Sequence, residues 1–518
     1  MRKILRIVLL FTILIPGSYV NLFAQSSQSR AITGTVYDEN GITLPGASIL
    51  VKDTKIGTST DLNGKFMIRV PAEGKVLVVN FMGMASQEIT IGSKTNLTVS
   101  LKSTNSNLNE VVVIGYGAIR KAEVTSSIVS ITEKDIKNLP VSGIDQALQG
   151  KVAGVTVTNN GGQPGGGVSV RVRGITSVNG NEPLYVIDGV PILTQTNSIG
   201  QDQLGGRAGQ TSQSVMSTIN PSDIASVDIL KDASAQAIYG SLAANGVVLI
   251  TTKRGKSGQS KISYDVYYGA QKVQKTLPVM NLSEYAQYYN SVVEEAATYG
   301  SILQPIGEFK NPSLLGKGTD WQEAIYQTGK IANHQLSFSG GADKTTYYFS
   351  GNYFNQTGTI IGSGFQRFST RFNLDQQVKS WLKAGISANL SRSNQKIALT
   401  DGTETPTTIV LYNSPATPIT GPDGQYLTTT SLGSNTFGNS NGNPIATASL
   451  RDVKAIQSIG YGNIFCEIKF MKYLSLRNEV GFDFQLSQNS AFQPEYTNSQ
   501  TKQSLLSPSK LIESRNNS

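Results

Sequence analysis

The run Asn109-Glu-Val-Val-Val-Ile-Gly-Tyr-Gly117 is short, β-branched and extended, with one acid near its start and Gly-Tyr-Gly at its end. A polar leader, Lys102-Ser-Thr-Asn-Ser-Asn-Leu108, precedes it. β-Branched residues favour strands. Glu110, Val111, Val112, Val113, Ile114, Gly115 and Tyr116 therefore read as a strand able to join the open edge of another sheet. Main-chain hydrogen bonds would supply affinity, and the Val111/Val113 and Val112/Ile114 faces would supply fit. A buried strand of a neighbouring domain is the competing reading, since short apolar runs do not separate the two.

Toward the N-terminus, residues 31–102 carry strand-like runs at short spacing: Ile32–Tyr37, Ala47–Lys52, Lys65–Val70, Val76–Phe81, Glu88–Ile91 and Leu97–Leu101. Asp38-Glu-Asn-Gly41 and Asp61-Leu-Asn-Gly64 are turn signals between them. The pattern predicts a β-sandwich. It resembles the carboxypeptidase regulatory-like domain, notably in Gly34-Thr-Val36, Leu44-Pro-Gly-Ala47 and Thr60-Asp-Leu-Asn-Gly-Lys-Phe66. That domain is non-catalytic in its families, and no zinc-ligand constellation follows it here. Residues 1–24 read as a signal peptide. Arg2, Lys3 and Arg6 precede an apolar run from Ile7 to Ile15, and Pro16-Gly17 breaks it. The run is shorter than the ~20 residues a spanning helix needs. The chain is expected to be exported, with any membrane span made of strands.

Composition agrees with a mostly β protein. Hydrophobic residues make up 38% of the chain, a lean supply for one large core but enough where only alternate residues must be apolar. The +9 charge is dispersed, without the basic runs or basic–aromatic interleaving of a nucleic-acid surface. A lone Cys466 excludes an internal disulfide, and a lone His334 excludes a His-rich metal centre. With no nucleophile–base pair in view, neither an enzyme nor a cofactor is expected.

Toward the C-terminus, residues 121–254 read as a mixed α/β unit. A helix capped by Ser142 is expected over Gly143–Gln149, followed by strands Val155–Thr158 and Val168–Arg173. The Gly-rich loop Asn159–Gly167 between these strands lacks the Lys-Ser/Thr ending of a phosphate loop. Further strands are expected at Leu184–Ile187, closed by Asp188-Gly189, and at Ser226–Leu230 and Val247–Thr252. A helical turn is expected after Asn220, and Asp232 is expected to cap a helix over Ala233–Tyr239. Arg171 and Arg173 are expected on one strand face; with Gly174, Asp188 and Gly189 they fall in motifs whose family resemblance, given below, implies structural contacts between a plug and its barrel.

From residue 259 to 518 a two-residue period dominates. Phe368, Thr370, Phe372 and Leu374 alternate with Ser369, Arg371, Asn373 and Asp375, and Leu382 to Leu390 alternate in the same way with Lys383 to Ser391. Within these runs the charges keep to one face. Cys466 falls on the apolar face with Ile464 and Ile468. Strand starts are expected near Lys261, Ala332, Lys344, Phe365, Ser380, Ile456 and Leu474, with the chain ending in a polar loop from Glu513. A helix over Ser283–Ala297 and a long polar loop, Thr400 to Ser449, lie between strands. Short turns on one side and long loops on the other are the pattern of an outer-membrane barrel.

Several of these segments resemble one family. Residues 109–117, Val170-Arg-Val-Arg-Gly-Ile-Thr-Ser177, Asn179-Gly-Asn-Glu-Pro-Leu-Tyr-Val-Ile-Asp-Gly189 and Asp228-Ile-Leu-Lys-Asp-Ala-Ser-Ala235 through Tyr239-Gly240 are similar to motifs of the SusC/RagA family of TonB-linked outer-membrane transporters. The resemblance implies a plug domain over 121–254 inside a β-barrel, and residues 108–117 as the TonB box region. It implies partners as well: the TonB periplasmic domain, a SusD-like surface lipoprotein, a large nutrient ligand (glycan or peptide) and outer-membrane lipid. Plugged barrels have about 22 strands, so the expectation is an N-terminal portion of a longer transporter. The alternative is a TonB-linked signalling receptor acting through an anti-sigma factor. That role usually accompanies a different N-terminal domain.

Overall fold

Alternation of buried and exposed residues organises each part of the chain. The computed structural model describes residues 29–517 except 40, 93, 102–110, 115–116, 121–127, 138, 175–180, 193–212, 233–235, 259, 301–302, 399, 401–404, 428–441, 472, 498–503 and 507–508. The signal-peptide expectation, Glu110, Gly115 and Tyr116 therefore lie outside the described residues, as does most of the motif Asn179-Gly-Asn and its approach. The chain divides into two compact units, one reaching Val111 and including 120–122, the other comprising 112–119 and 123–518.

In the first unit, β1 (Arg30–Tyr37), β2 (Ser48–Val51), β3 (Gly57–Ser59), β4 (Lys65–Val70), β5 (Val76–Asn80), β6 (Gln87–Thr90) and β7 (Asn96–Ser100) form two sheets, ordered β4-β1-β7 and β3-β2-β5-β6. Ile32, Val36, Ile49, Val51, Phe66, Ile68, Leu77, Val79 and Val99 from both sheets meet in one core. This is the expected sandwich, with β3 added. The strand read from residues 109–117 is β8 (Val111–Ile114). It pairs with β9 (Gly117–Arg120) in a separate two-stranded sheet, not within a larger one.

The α/β part contains β10 (Ile128–Thr132), β11 (Val155–Asn159), β12 (Val168–Val172), β13 (Leu184–Ile187), β14 (Val190–Ile192), β15 (Ile224–Leu230) and β16 (Val247–Thr252). Five of them form a sheet ordered β10-β15-β16-β13-β14, and β11 and β12 form a hairpin beside it. β14 is absent from the sequence reading because Pro191 lies inside it. Its edge position is where a strand tolerates proline. The expected helix is shorter, Ile144–Ala147, and its cap is Gly143 rather than Ser142. Ser142 is buried, and its hydroxyl bonds Gln146 Oε1 at 3.2 Å. After Asp232, a 3₁₀ segment over Ala237–Ala243 takes the place of the expected helix, and residues 233–235 lie outside the description.

Beyond the plug, β17 (Lys261–Gln271), β18 (Gly329–Ala342), β19 (Thr345–Thr357), β20 (Gly364–Lys379), β21 (Leu382–Lys396), β22 (Asp452–Met471) and β23 (Leu474–Gln493) run antiparallel, each paired with the next. A small ribbon, β24 (Tyr496–Thr497) with β25 (Ser504–Leu506), follows. β26 (Ser509–Asn517) then returns to pair with β23, completing an eight-stranded sheet. The polar ending expected from Glu513 is thus a strand. Main-chain pairing to Gln485–Gln493 carries it where side-chain pattern gives little signal. The connections Asp343-Lys344, Ser380-Trp381 and 472–473 are tight. Those at 272–328, 397–451 and 494–508 are long and lie at the opposite ends of the strands. The helix Leu282–Thr298 packs within the first long connection against Phe309 and Leu315.

The sheet is inverted relative to a soluble protein. On its outer face Ile262 (72%), Phe368 (59%) and Val480 (71%) are exposed, while Ser350, Arg367, Arg371, Asn389 and Gln395 on the inner face are buried. Cys466 shares the outer row with the exposed Ile464. No described helix is long and apolar enough to cross a membrane; the strands have both the length and the outward apolar face to do so.

Candidate functional site: the plug–wall interface

The inner face of the sheet meets the α/β domain through charged and amide side chains. Three contacts organise it. At the first, Asp188-Gly189 is a two-residue turn between β13 and β14, with φ of 48° and 92°. Both values are left-handed, as a tight hairpin between twisted strands requires, and Asp-Gly suits them. The turn thrusts the Asp188 carboxylate at the wall. There Arg371 of β20 pairs with it, Thr252 donates through N (3.0 Å) and Oγ1 (2.6 Å), and Asn463 of β22 donates to the Asp188 carbonyl at 2.9 Å. Both partners of the ion pair are buried, at 1% and 5% side-chain exposure. Burial opposes the Asp188 charge, but Arg371, then Arg254 and the Thr252 bonds, outweigh it and hold the carboxyl below its ordinary range.

At the second, Arg367, two residues pairs up the same inner row, is buried and reaches into the plug. Its Nη1 donates to the carbonyls of Ser142 (2.7 Å), Ser217 (2.7 Å) and Ile219 (3.0 Å). The wall thus holds the Ser142 carbonyl, one residue before the helix cap at Gly143. At the third, the polarity reverses. Asp223 of the plug accepts from Gln335 (2.8 Å), Tyr348 (2.8 Å) and Ser350 (2.7 Å) of the wall, and from its neighbour Asn220 (2.9 Å). The Pro221 turn that presents Asp223 starts at Asn220, as the sequence predicts. Around these contacts, Ile459 and Tyr461 of the wall join the apolar core of the plug.

The Gly-rich loop between β11 and β12 packs on the wall rather than on a nucleotide. Gly165 has φ +69°, and a Cβ there would fall 2.2 Å from the Phe365 ring. Gln395 of β21 donates to the Pro164 carbonyl at 2.8 Å. Where the chain leaves the plug for the wall, Arg254 bonds Asp375 at 2.9 Å, beside the tight-turn end.

The other expected site residues fall differently. Arg171 is on β12 opposite Thr156, and its charge acts on Glu182, whose carboxyl burial raises. Arg173 does not share its face. The strand ends at Val172, Arg173 takes φ +63° and Gly174 +98°, and the exposed Arg173 guanidinium pairs with Asp232 inside the plug. Of the expected residues, Asp188 and Gly189 lie at the wall. Arg367, Arg371 and Asp223, absent from the expected set, carry most of the contact. Arg371 was visible only as a charge on the inner row of an alternating strand. Within the plug, burial pushes the Asp145 carboxyl up to about 6, against hydrogen bonds from Ser214 (2.7 Å) and Gln146 N (2.9 Å). Among the described residues, no three His, Cys, Asp or Glu side chains converge as a metal site would.

A sheet with a polar inner row and an apolar outer row, packed against a mixed α/β domain, is the arrangement of an outer-membrane barrel wall and its plug. Residues 120–247 match the TonB-dependent Receptor Plug Domain, and residues 32–113 match the CarboxypepD_reg-like domain. TonB-dependent receptor P3 of Formosa agariphila is 36% identical over 503 residues, covering 95% of this chain and 45% of that protein. TonB-dependent receptor SusC of Bacteroides thetaiotaomicron is 34% identical over 489 residues, covering 91% of this chain and 46% of that protein. The structure of the RagAB peptide importer in its open-open state superposes with a TM-score of 0.58 at 27% identity, covering 74% of this chain and 43% of that one. Along nearly its whole length the chain is of the SusC/RagA type of TonB-dependent receptor. It spans less than half the length of the curated relatives it matches.

Proposed function

We propose that this chain supplies the energy-coupling segment, plug and leading wall strands of a transporter that imports a large nutrient, glycan or peptide, across the outer membrane. The observation that carries the reading is the buried polar interface of Arg367, Arg371, Asp188 and Asp223. It seats the plug against an inverted sheet, and in a completed barrel that seat would close the lumen at rest. Work is needed to open such a seal, and Glu110–Tyr116 is the segment through which the periplasmic domain of TonB would deliver it by strand addition. The two-stranded pairing of β8 supports this role, since the strand is not locked into a larger sheet. A SusD-like surface lipoprotein would capture ligand on the long-connection side. The likeness to the RagAB peptide importer favours peptide among the nutrient classes.

The test is uptake by the complete protein carrying Val112→Pro. Proline removes one main-chain donor and breaks strand pairing. The expected result is loss of uptake with normal surface expression and unchanged ligand binding. Wild-type uptake would overturn the assignment of 110–116.

A further inference from the structure

The outer face of the wall changes character along its strands. From the tight-turn end it is apolar, through Leu382, Ile464, Phe482, Phe372 and Leu390. Toward the long connections it becomes cationic. Arg392 and Lys396 follow Leu390 on the same face of β21, and Lys454 of β22 lies directly opposite Lys396. Asp452 pairs with Lys454 at 2.6 Å. Neither Arg392 nor Lys396 has an acidic partner among the described residues. Lys396 and Lys454 face each other across the strand pair and repel; Asp452 offsets Lys454, which leaves Lys396 and Arg392 as the charges a further anion would stabilise. Between the cations, Asn394 stands opposite Gln366, offering amide donors and acceptors. All these side chains alternate with the buried inner row of Ser391, Ser393 and Gln395 and so point away from the plug.

We propose that Arg392, Lys396 and Lys454 form a binding site for the headgroup of a diphosphorylated glycolipid in the outer leaflet. This inference rests on the reading of the sheet as a membrane wall. Cations at the rim of an apolar band sit where acyl chains give way to headgroups, and anionic lipids bind such clusters. Arg392 and Lys396 are four residues apart on one strand, roughly 13 Å at 3.3 Å per residue. That separation suits phosphates at the two ends of a disaccharide headgroup, with Asn394 and Gln366 placed for the hydroxyls between them. A lipid with a single phosphate would engage only one end.

The experiment is native mass spectrometry of the complete detergent-purified protein titrated with diphosphoryl lipid A, monophosphoryl lipid A and phosphatidylglycerol. The wild type is expected to prefer diphosphoryl lipid A. The triple variant Arg392→Gln/Lys396→Gln/Lys454→Gln is expected to lose at least about tenfold in its affinity, with phosphatidylglycerol binding little changed. Lys396→Gln alone, expected to show a smaller loss, serves if the triple variant does not fold. Equal lipid A affinity in wild type and a folded variant, or no preference for two phosphates over one, overturns the site. Heat-modifiable gel mobility of the wild type separates the two failures. A protein that is heat-modifiable yet indifferent to lipid A refutes this site alone, whereas one lacking heat-modifiability refutes the membrane wall itself.

Discussion

Replacing Arg371 with Met would remove the counter-charge of Asp188 while roughly keeping side-chain volume. The carboxylate, 5% exposed, would be left with the Thr252 bonds and the Ser387 hydroxyl at 3.4 Å. Removing one partner of a buried ion pair costs about 3–5 kcal/mol, since the other charge stays desolvated. At a urea dependence of ~2 kcal/mol per molar, the midpoint for plug release should fall by roughly 2 M. The assay is ion conductance of the complete protein in planar bilayers as urea is raised. The pH dependence gives an independent check. In the wild type the Asp188 carboxyl is held low, so its stabilisation is present above the unfolded carboxylate range and is lost as pH falls through the folded value. In Arg371→Met, burial is opposed only by Arg254 and the Thr252 bonds, so the Asp188 carboxyl rises from its wild-type position and acidification to pH 5 should restore part of the loss. The double variant Arg371→Met/Asp188→Asn removes the orphaned charge and keeps a residue suited to the left-handed turn, and should recover much of the wild-type midpoint. An unchanged midpoint in Arg371→Met, or a double variant no better than the single, would refute the buried pair as a determinant of plug seating.

Two further substitutions probe the plug. Asp145→Asn should flatten the pH dependence of plug stability: the raised carboxyl of Asp145 contributes stability at low pH that is lost as pH rises through about 6, so thermal melts of the variant between pH 5 and 8 should converge. Gly165→Ala forces a side chain at φ +69° into the buried Phe365 ring and should loosen the β11–β12 loop by about 1–3 kcal/mol, read as faster proteolysis within 159–167; wild-type protection there would contradict the contact.

Local pattern carried much of the architecture. β16 and β4 match their predicted bounds because their runs are apolar or alternating and end at clear turns. The inner and outer rows of β20 and β21 were legible because period two is a property of neighbouring residues. β26 was not, since Ser509–Asn517 is polar and gains its strand from a partner elsewhere in the chain. The interface was the least legible part. Arg367 meets carbonyls of Ser142 and Ile219, and a carbonyl leaves no mark in a sequence. Arg173 misled because alternation was extended one residue too far, past the point where Gly174 permits the chain to turn.

The whole arrangement depends on the sheet facing lipid with its apolar row and the plug with its polar row. It is tested most directly by site-directed spin labelling along β21 in the complete protein, with Cys466→Ser as background and cysteines introduced one at a time from Ala384 to Leu390. A strict two-residue period is expected. Labels at 384, 386, 388 and 390 should be relaxed by oxygen dissolved in the bilayer, and those at 385, 387 and 389 should be shielded from oxygen and immobilised against the plug. Even-numbered labels relaxed by a water-soluble nickel reagent, or no period at all, would contradict it.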